Sequence, residues 1–193
     1  MRLHYLALPL LCLLMLSACT ETPHPRGKPV AHQTYSHIGT IGVAAKSVDI
    51  QQVYDPLQLR SDISGEMALP PHVAIMDYAR NRYVAKGGED IFRLVLEQAS
   101  VTQREIPQAN KWVSWTGLAD EDEYRFFIVV SAYRVSPGAF SGPGVTIKMD
   151  RTLVIPQRKS IAEREEIQRD FVDKIIRDLD DRIELALREQ LGL

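Results

Sequence analysis

Apolar residues recur along this chain with two periods, and the switches between them divide it into elements. Ile41, Val43 and Ala45 alternate with Gly42, Ala44 and Lys46, the period-two signature of a strand. Residues 51–69 carry few apolar positions and include Pro56 and Gly65, so they read as a loop. Pro70-Pro71 opens a helix, because proline suits a first turn in which its missing N–H has no partner to lose. Ile75, Met76, Ala79 and Tyr83 follow at helical spacing, and Gly87-Gly88 closes the element. Three strands come next. Ile91 to Val101 places Phe92, Leu94 and Leu96 on one face. Tyr124 to Val135 holds the run Phe126 to Val130, which predicts a central strand covered on at least part of both faces. In Val145 to Ile155, Val145, Ile147, Met149, Leu153 and Ile155 point one way, and Thr146, Lys148, Asp150 and Thr152 the other. Pro137-Gly138 and Gly142-Pro143-Gly144 mark the hairpin between the last two strands.

A long helix ends the chain. Ser160 and Glu163 form a capping box, and Ile167, Phe171, Ile175, Leu179 and Ile183 repeat every four residues, with Val172, Ile176 and Leu187 widening the stripe. Phe171, Ile175 and Leu179 are expected to carry most of its burial. Running to about Gln190, the helix is about 45 Å long, more than a small sheet covers. Its C-terminal half therefore either projects or packs along the sheet diagonal. The element order predicts an α+β fold: an approximately four-stranded, mainly antiparallel sheet with two helices on one face.

The N-terminus has a different texture. Met1-Arg2-Leu3-His4 is weakly basic, and Tyr5 to Leu16 is almost wholly apolar, interrupted by Pro9. That run is about twelve residues, too short for a bilayer core that needs about 20 helical residues, and it suits the hydrophobic part of a secretory signal. From Thr20 to about Ser36 the chain is polar, contains Pro23, Pro25 and Pro29, and shows no periodicity. The expected organisation is a signal peptide at 1–18, a tether at 19–36 and a single domain at 37–193, folding as a monomer without metal or disulfide.

Leu16-Ser17-Ala18-Cys19, directly after the apolar run, resembles the bacterial lipobox. That resemblance implies cleavage before Cys19, a diacylglyceryl thioether on its sulfur and an acylated (palmitate-type) amino group. One acyl chain holds a protein to a membrane only marginally, whereas several anchor it firmly. Thr20 after the cysteine implies, in the Gram-negative pattern, sorting to the outer membrane with the domain facing the periplasm. Cys12 and Cys19 are the only cysteines, so such a mature chain has no thiol and no disulfide in an oxidising compartment.

Charge narrows the partners. Lys plus Arg number 23 and Asp plus Glu 25, a net charge of −2, which argues against a nucleic-acid surface, since phosphate binding draws on a basic excess. The chain contains no G-x-S-x-G, S-x-x-K, H-E-x-x-H or P-loop, and no histidine follows His72. Gly39 and Gly42 precede Lys46 at the wrong spacing for a phosphate cradle. His24, His32 and His37 lie in or beside the tether without ligand spacing, so they read as linker residues and no metal or cofactor is expected. Asp120-Glu121-Asp122-Glu123 lacks the spacing of a calcium loop and reads as a solvated turn before a strand. Arg80, Arg82 and Lys86 fall outside the apolar stripe of the first helix and read as a solvated face, or as contacts for acidic lipid headgroups. Trp112 and Trp115, the only tryptophans, stand in the long connection between Val101 and Tyr124. Loops carry binding function more often than scaffolds do, and tryptophan is enriched at interaction hot spots, so these two are the candidate partner-binding residues.

The element order together with the lipobox resembles small accessory lipoproteins of the envelope, notably the auxiliary lipoproteins of lipid-transport systems and the lipoprotein activators of peptidoglycan synthases. Ala79-Arg80-Asn81-Arg82 and Gln98-Ala99-Ser100-Val101 resemble stretches of uncharacterised Gram-negative lipoproteins. The expectation is a non-enzymatic accessory lipoprotein, held to the membrane through Cys19, that binds an envelope protein partner or a lipid-transport complex and no nucleic acid. The competing class is a carboxylate-dependent envelope hydrolase, and a deep pocket with two close acidic residues would distinguish it.

Overall fold

The structure is a computed structural model in which residues 35–106, 120–138 and 144–191 are described, save the side chains of residues 36, 190 and 191. A 3-10 turn at Tyr35–Ile38 leads into β1 (Ile41–Val43) and β2 (Ser47–Gln52). Helix α1 (Pro71–Arg82) runs directly into β3 (Tyr83–Ala85). The long strands β4 (Ile91–Ile106), β5 (Glu121–Val135) and β6 (Gly144–Pro156) and helix α2 (Ile161–Leu191) complete the order. The main sheet has the strand order β2-β4-β5-β6, and β1 pairs with β3 in a separate two-stranded sheet. The architecture is the α+β class that the periodicity predicts.

The sheet is mixed, however. β4, β5 and β6 form the antiparallel meander, but β2 lies parallel to β4, from Ser47↔Ile91 to Gln52↔Leu96. A strand followed by a helix returns to the sheet through a crossover, and a crossover makes its flanking strands parallel. The predicted first strand keeps only its first half, and a second strand follows that the pattern did not predict, its last two residues inside the predicted loop. Ile41–Val43 joins β3, and Ser47–Gln52, whose polar sequence hides its alternation, joins the sheet. Helix α1 stops at Arg82, short of the predicted glycines, because Tyr83 turns extended (φ −106°, ψ 129°) and buries its ring in the core.

β4 and β5 are longer than their apolar runs. Beyond Val101, exposed Thr102, Gln103 and Arg104 pair with Arg125, Tyr124 and Glu123, so the backbone ladder carries β4 past its own apolar residues. A β-bulge between Leu96 and Gln98 adds one residue to β4. It reverses the parity of the strand, so that Ala99 and Val101 share the inner face with Leu94 and Leu96 and all four are buried. At the other hairpin Gly144 lies opposite Tyr133, where a Cβ would stand 2.6 Å from the tyrosine Cβ; only glycine permits that approach.

Both helices pack on one face of the sheet, where Phe92, Leu94, Phe126, Ile128 and Met149 meet Ile75, Tyr78, Ile175 and Leu179 in a single core. The capping box of α2 is present. The amide of Ser160 donates to Glu163 Oε2 at 2.9 Å, and the amide of Glu163 donates to Ser160 Oγ at 3.3 Å. Bonds from Lys159 and from the Ser160 amide and hydroxyl hold the Glu163 carboxyl down to about 2. The C-terminal half of the helix does not project. Leu179, Ile183 and Leu187 are all buried, whereas Ile161 at the start is 78% exposed. Phe171 is half-buried, its ring 5.1 Å from that of Phe126, so Ile175, Ile176 and Leu179 rather than Phe171 anchor the helix.

Candidate functional site

Alternation along three long strands generates two sheet faces, and among the described residues the helices occupy only one. The other face is built in rows. Val95, Ser131 and Thr146 stand side by side, as do Ser100, Phe127 and Asp150. Val95 and Val129 are each 7% exposed yet lie outside the main core, and Phe127 is half-buried beside them. Polar groups frame this apolar centre. Ser131 Oγ donates to Glu97 Oε1 at 2.6 Å and lies 2.8 Å from Thr146 Oγ1. Three ion pairs stand around it: Arg93 with Asp49 at 2.8 Å, Arg104 with Glu123 at 2.8 Å, and Arg125 with Asp150 at 2.5 Å. Exposed pairs of this kind contribute little stability. The central positions Val95, Ser100, Val129 and Ser131 are buried, so the accessible part of this face is Phe127 and its polar rim.

The other polar clusters lie under the helices and bind the fold together. Arg82 is buried, which corrects its reading as a solvated or lipid-facing residue. Its Nε donates to Asp180 Oδ1 at 2.8 Å, its Nη2 to Asp180 Oδ2 at 3.1 Å and to Glu184 Oε2 at 3.0 Å, and its Nη1 to the Ile38 carbonyl at 3.0 Å. Tyr78 Oη donates to the same Asp180 at 2.6 Å. Arg80 remains exposed beside Asp77, and Lys86 folds over Gly42, 2.7 Å from where a Cβ would stand. The acidic run is likewise no solvated turn, because Glu121 to Glu123 begin β5 and Asp122 is buried against Arg164 of α2. Burial alone would raise the Asp122 pKa, but bonds from Arg164, Gln157 and Gln103 outweigh it and the carboxyl lies below its ordinary value.

The third cluster brings together residue types that sequence spacing does not connect. Tyr54 Oη donates to Asp62 and lies 2.8 Å from Ser64 Oγ, while Asp62 Oδ1 accepts the amides of Ser64 and Val101 at 2.9 and 3.0 Å. The His72 ring meets Tyr54 edge-on at 5.9 Å, its Nδ1 is buried without a hydrogen bond, and burial lowers its pKa against the opposing pull of Asp62. Ser64 is fully buried and bonded to tyrosine rather than histidine. The cluster pins residues 54–64 to β4 and does not assemble a nucleophile with a base.

A carboxylate hydrolase needs two neighbouring carboxyls held at different pKa values. Asp62 and Asp122 sit in separate networks, and Asp180 and Glu184 share the Arg82 guanidinium. The cavity beside Glu184, lined by Ile41, Gly42, Leu187 and Arg188, holds about 200 Å³, below the size of an ordinary ligand pocket. Among the described residues no group of three or more His, Cys, Asp or Glu is placed to hold a metal, and no helix is long and apolar enough to cross a membrane. Cys19, Trp112, Trp115, His24 and His32 lie outside the described residues. The open face itself was missed by the sequence reading, although the second apolar parity of β5, Phe127 and Val129, is its signal.

No protein-family model matches this chain, and no curated protein matches it. Among solved structures it is similar to the rare lipoprotein B from Shewanella oneidensis. The identity is 14% and the TM-score 0.40, over 74% of this chain and 94% of that one. It is also similar to a minor lipoprotein from Acinetobacter baumannii, with 12% identity and a TM-score of 0.38 over 78% of this chain and 96% of that one. Likeness at this level says nothing of function.

Proposed function

We propose that this chain is a non-enzymatic accessory lipoprotein of the cell envelope, anchored through Cys19 in the outer membrane and facing the periplasm, which binds an envelope protein partner on its open sheet face. The observation that carries the reading is that face, which no described helix covers: Phe127 is half-buried there, beside the buried Val95 and Val129 and within a rim of hydroxyls and ion pairs. Both the apolar run before Cys19 and the polar stretch after it support a tethered domain. Trp112 and Trp115, in the connection between Ile106 and Glu121, are proposed as further partner-binding residues.

A photo-crosslinking residue at Phe127, compared with one at exposed Arg177 on the far side of α2, tests the proposal in intact cells. Adducts of defined protein mass from position 127 and none from position 177 are expected. Adducts carrying lipid alone from position 127 would replace the protein partner with a lipid ligand. Capture from position 177 with nothing from 127 would move the binding surface to the helices and overturn the reading.

A further inference from the structure

β6 closes one side of the main sheet, and its outer edge is unpaired among the described residues. The strand runs Gly144–Pro156, and its ladder with β5 extends from Tyr133↔Gly144 to Glu121↔Pro156 with no bulge. An edge of that length is a template for another strand, and natural sheets guard such edges with bulges, proline, charged side chains or brevity. Here the bulge lies in β4 and the short edge strand is β2 on the opposite side. Within β6, before its final proline, the charged residues on the open face are Lys148 and, two positions on, Asp150.

That spacing makes a guard into a register key. In place of the monomer expected from the sequence, we propose that β6 pairs antiparallel with β6 of a second copy of this chain, about a two-fold axis at Met149, joining two sheets edge to edge. A continuous sheet keeps each face to itself, so a residue meets only residues of its own parity across the axis. With the axis at Met149, Lys148 stands opposite the copy's Asp150, Asp150 opposite the copy's Lys148, and Thr146 opposite the copy's Thr152. Moving the axis one residue either way sets two lysines or two aspartates against each other, and an axis at Arg151 sets two arginines together. Opposite charges and threonine pairs directly across a strand pair stabilise it, and like charges destabilise it. Arg125 Nε, 2.9 Å from Asp150 Oδ1, already holds that carboxylate on the open face, between itself and the incoming lysine. The contact uses the edge of the sheet rather than its face, so it stands independently of the partner surface proposed above.

Sedimentation equilibrium of the full-length chain in density-matched detergent tests the proposal, with Lys148→Glu, Asp150→Lys and their equimolar mixture beside the unaltered protein. Lys148→Glu alone sets glutamate against aspartate, and Asp150→Lys alone sets lysine against lysine. In the mixed dimer both contacts are of opposite sign again. The unaltered chain is expected to dimerise, each variant alone to dimerise about tenfold or more weakly, and the mixture to recover. Recovery also shows that both variants are folded, and two chains merely sharing a micelle would not respond to charge. An unaltered chain that stays monomeric throughout, or single variants that dimerise as tightly as it does, overturns the proposal.

Discussion

Removing the Asp180 carboxylate tests the core most directly. The Arg82 and Asp180 side chains are 9% and 11% exposed and bonded through both carboxylate oxygens. Asp180→Ala strands a buried guanidinium and takes from Tyr78 Oη an acceptor at 2.6 Å, leaving it only the Tyr83 hydroxyl at 3.1 Å. Breaking a buried pair by deleting one partner costs about 3–5 kcal/mol. Glu184, 3.0 Å from Nη2 and 32% exposed, still offsets part of the stranded charge. The lower end, about 3 kcal/mol, is therefore expected, and at roughly 2–4 °C per kcal/mol for a domain of this size Tm falls by about 6–12 °C. Replacing both members, Arg82→Met with Asp180→Leu, removes the stranded charge, so the double variant should be more stable than Asp180→Ala. Urea unfolding followed by circular dichroism measures all of these. A loss under about 1 kcal/mol for Asp180→Ala, or a double variant whose loss equals the sum of Arg82→Met and Asp180→Leu, would refute the buried, coupled arrangement.

Four further outcomes are expected. Leu179→Ala should cost about 2–5 kcal/mol, as a fully buried leucine does, with half-buried Phe171→Ala costing less and exposed Leu185→Ala within about 0.5 kcal/mol of wild type; denaturant midpoints rank them. The depressed Asp122 pKa means that the unfolded chain takes up its proton first as pH falls. Its contribution is thus present above the ordinary carboxyl value of about 4 and lost as pH drops through the lower folded value, and Asp122→Asn should flatten stability against pH across that window in an acid titration of Tm. Cys19→Ser should leave an unprocessed precursor or a soluble protein, read by intact mass and membrane fractionation; a membrane-bound product of mature mass would sink lipidation at Cys19. At least one of the single variants Trp112→Phe and Trp115→Phe should leave its remaining indole open to a neutral quencher, and complete shielding of both would remove them from the partner contact.

Local pattern determined which residues belong to which element wherever one face of that element is buried. Helix α2 is legible because its stripe repeats from Ile167 to Leu187, about six turns, and Ser160 with Glu163 writes its start. β6 is legible because every second residue faces the core, and Pro71 marks the first residue of α1. Such features follow from backbone geometry and the nearest few neighbours, so the linear order suffices. What the tertiary structure decided is every question of partnership. β2 has only Val48 and Ile50 as apolar signals, and becomes a strand because Leu94 and its neighbours on β4 supply the ladder. Arg82 and Asp122 are charged, and charge alone says surface; they are interior because Asp180 and Arg164, 98 and 42 residues further along, arrive with the opposite sign. The bulge after Leu96 reassigns Ala99 and Val101 to the core, and no residue type announces it. The second face has the same cause: Phe127 and Val129 are as apolar as Phe126 and Ile128, and only the packing of both helices against one side of β5 puts the first pair on the side away from them, Val129 buried and Phe127 half-buried.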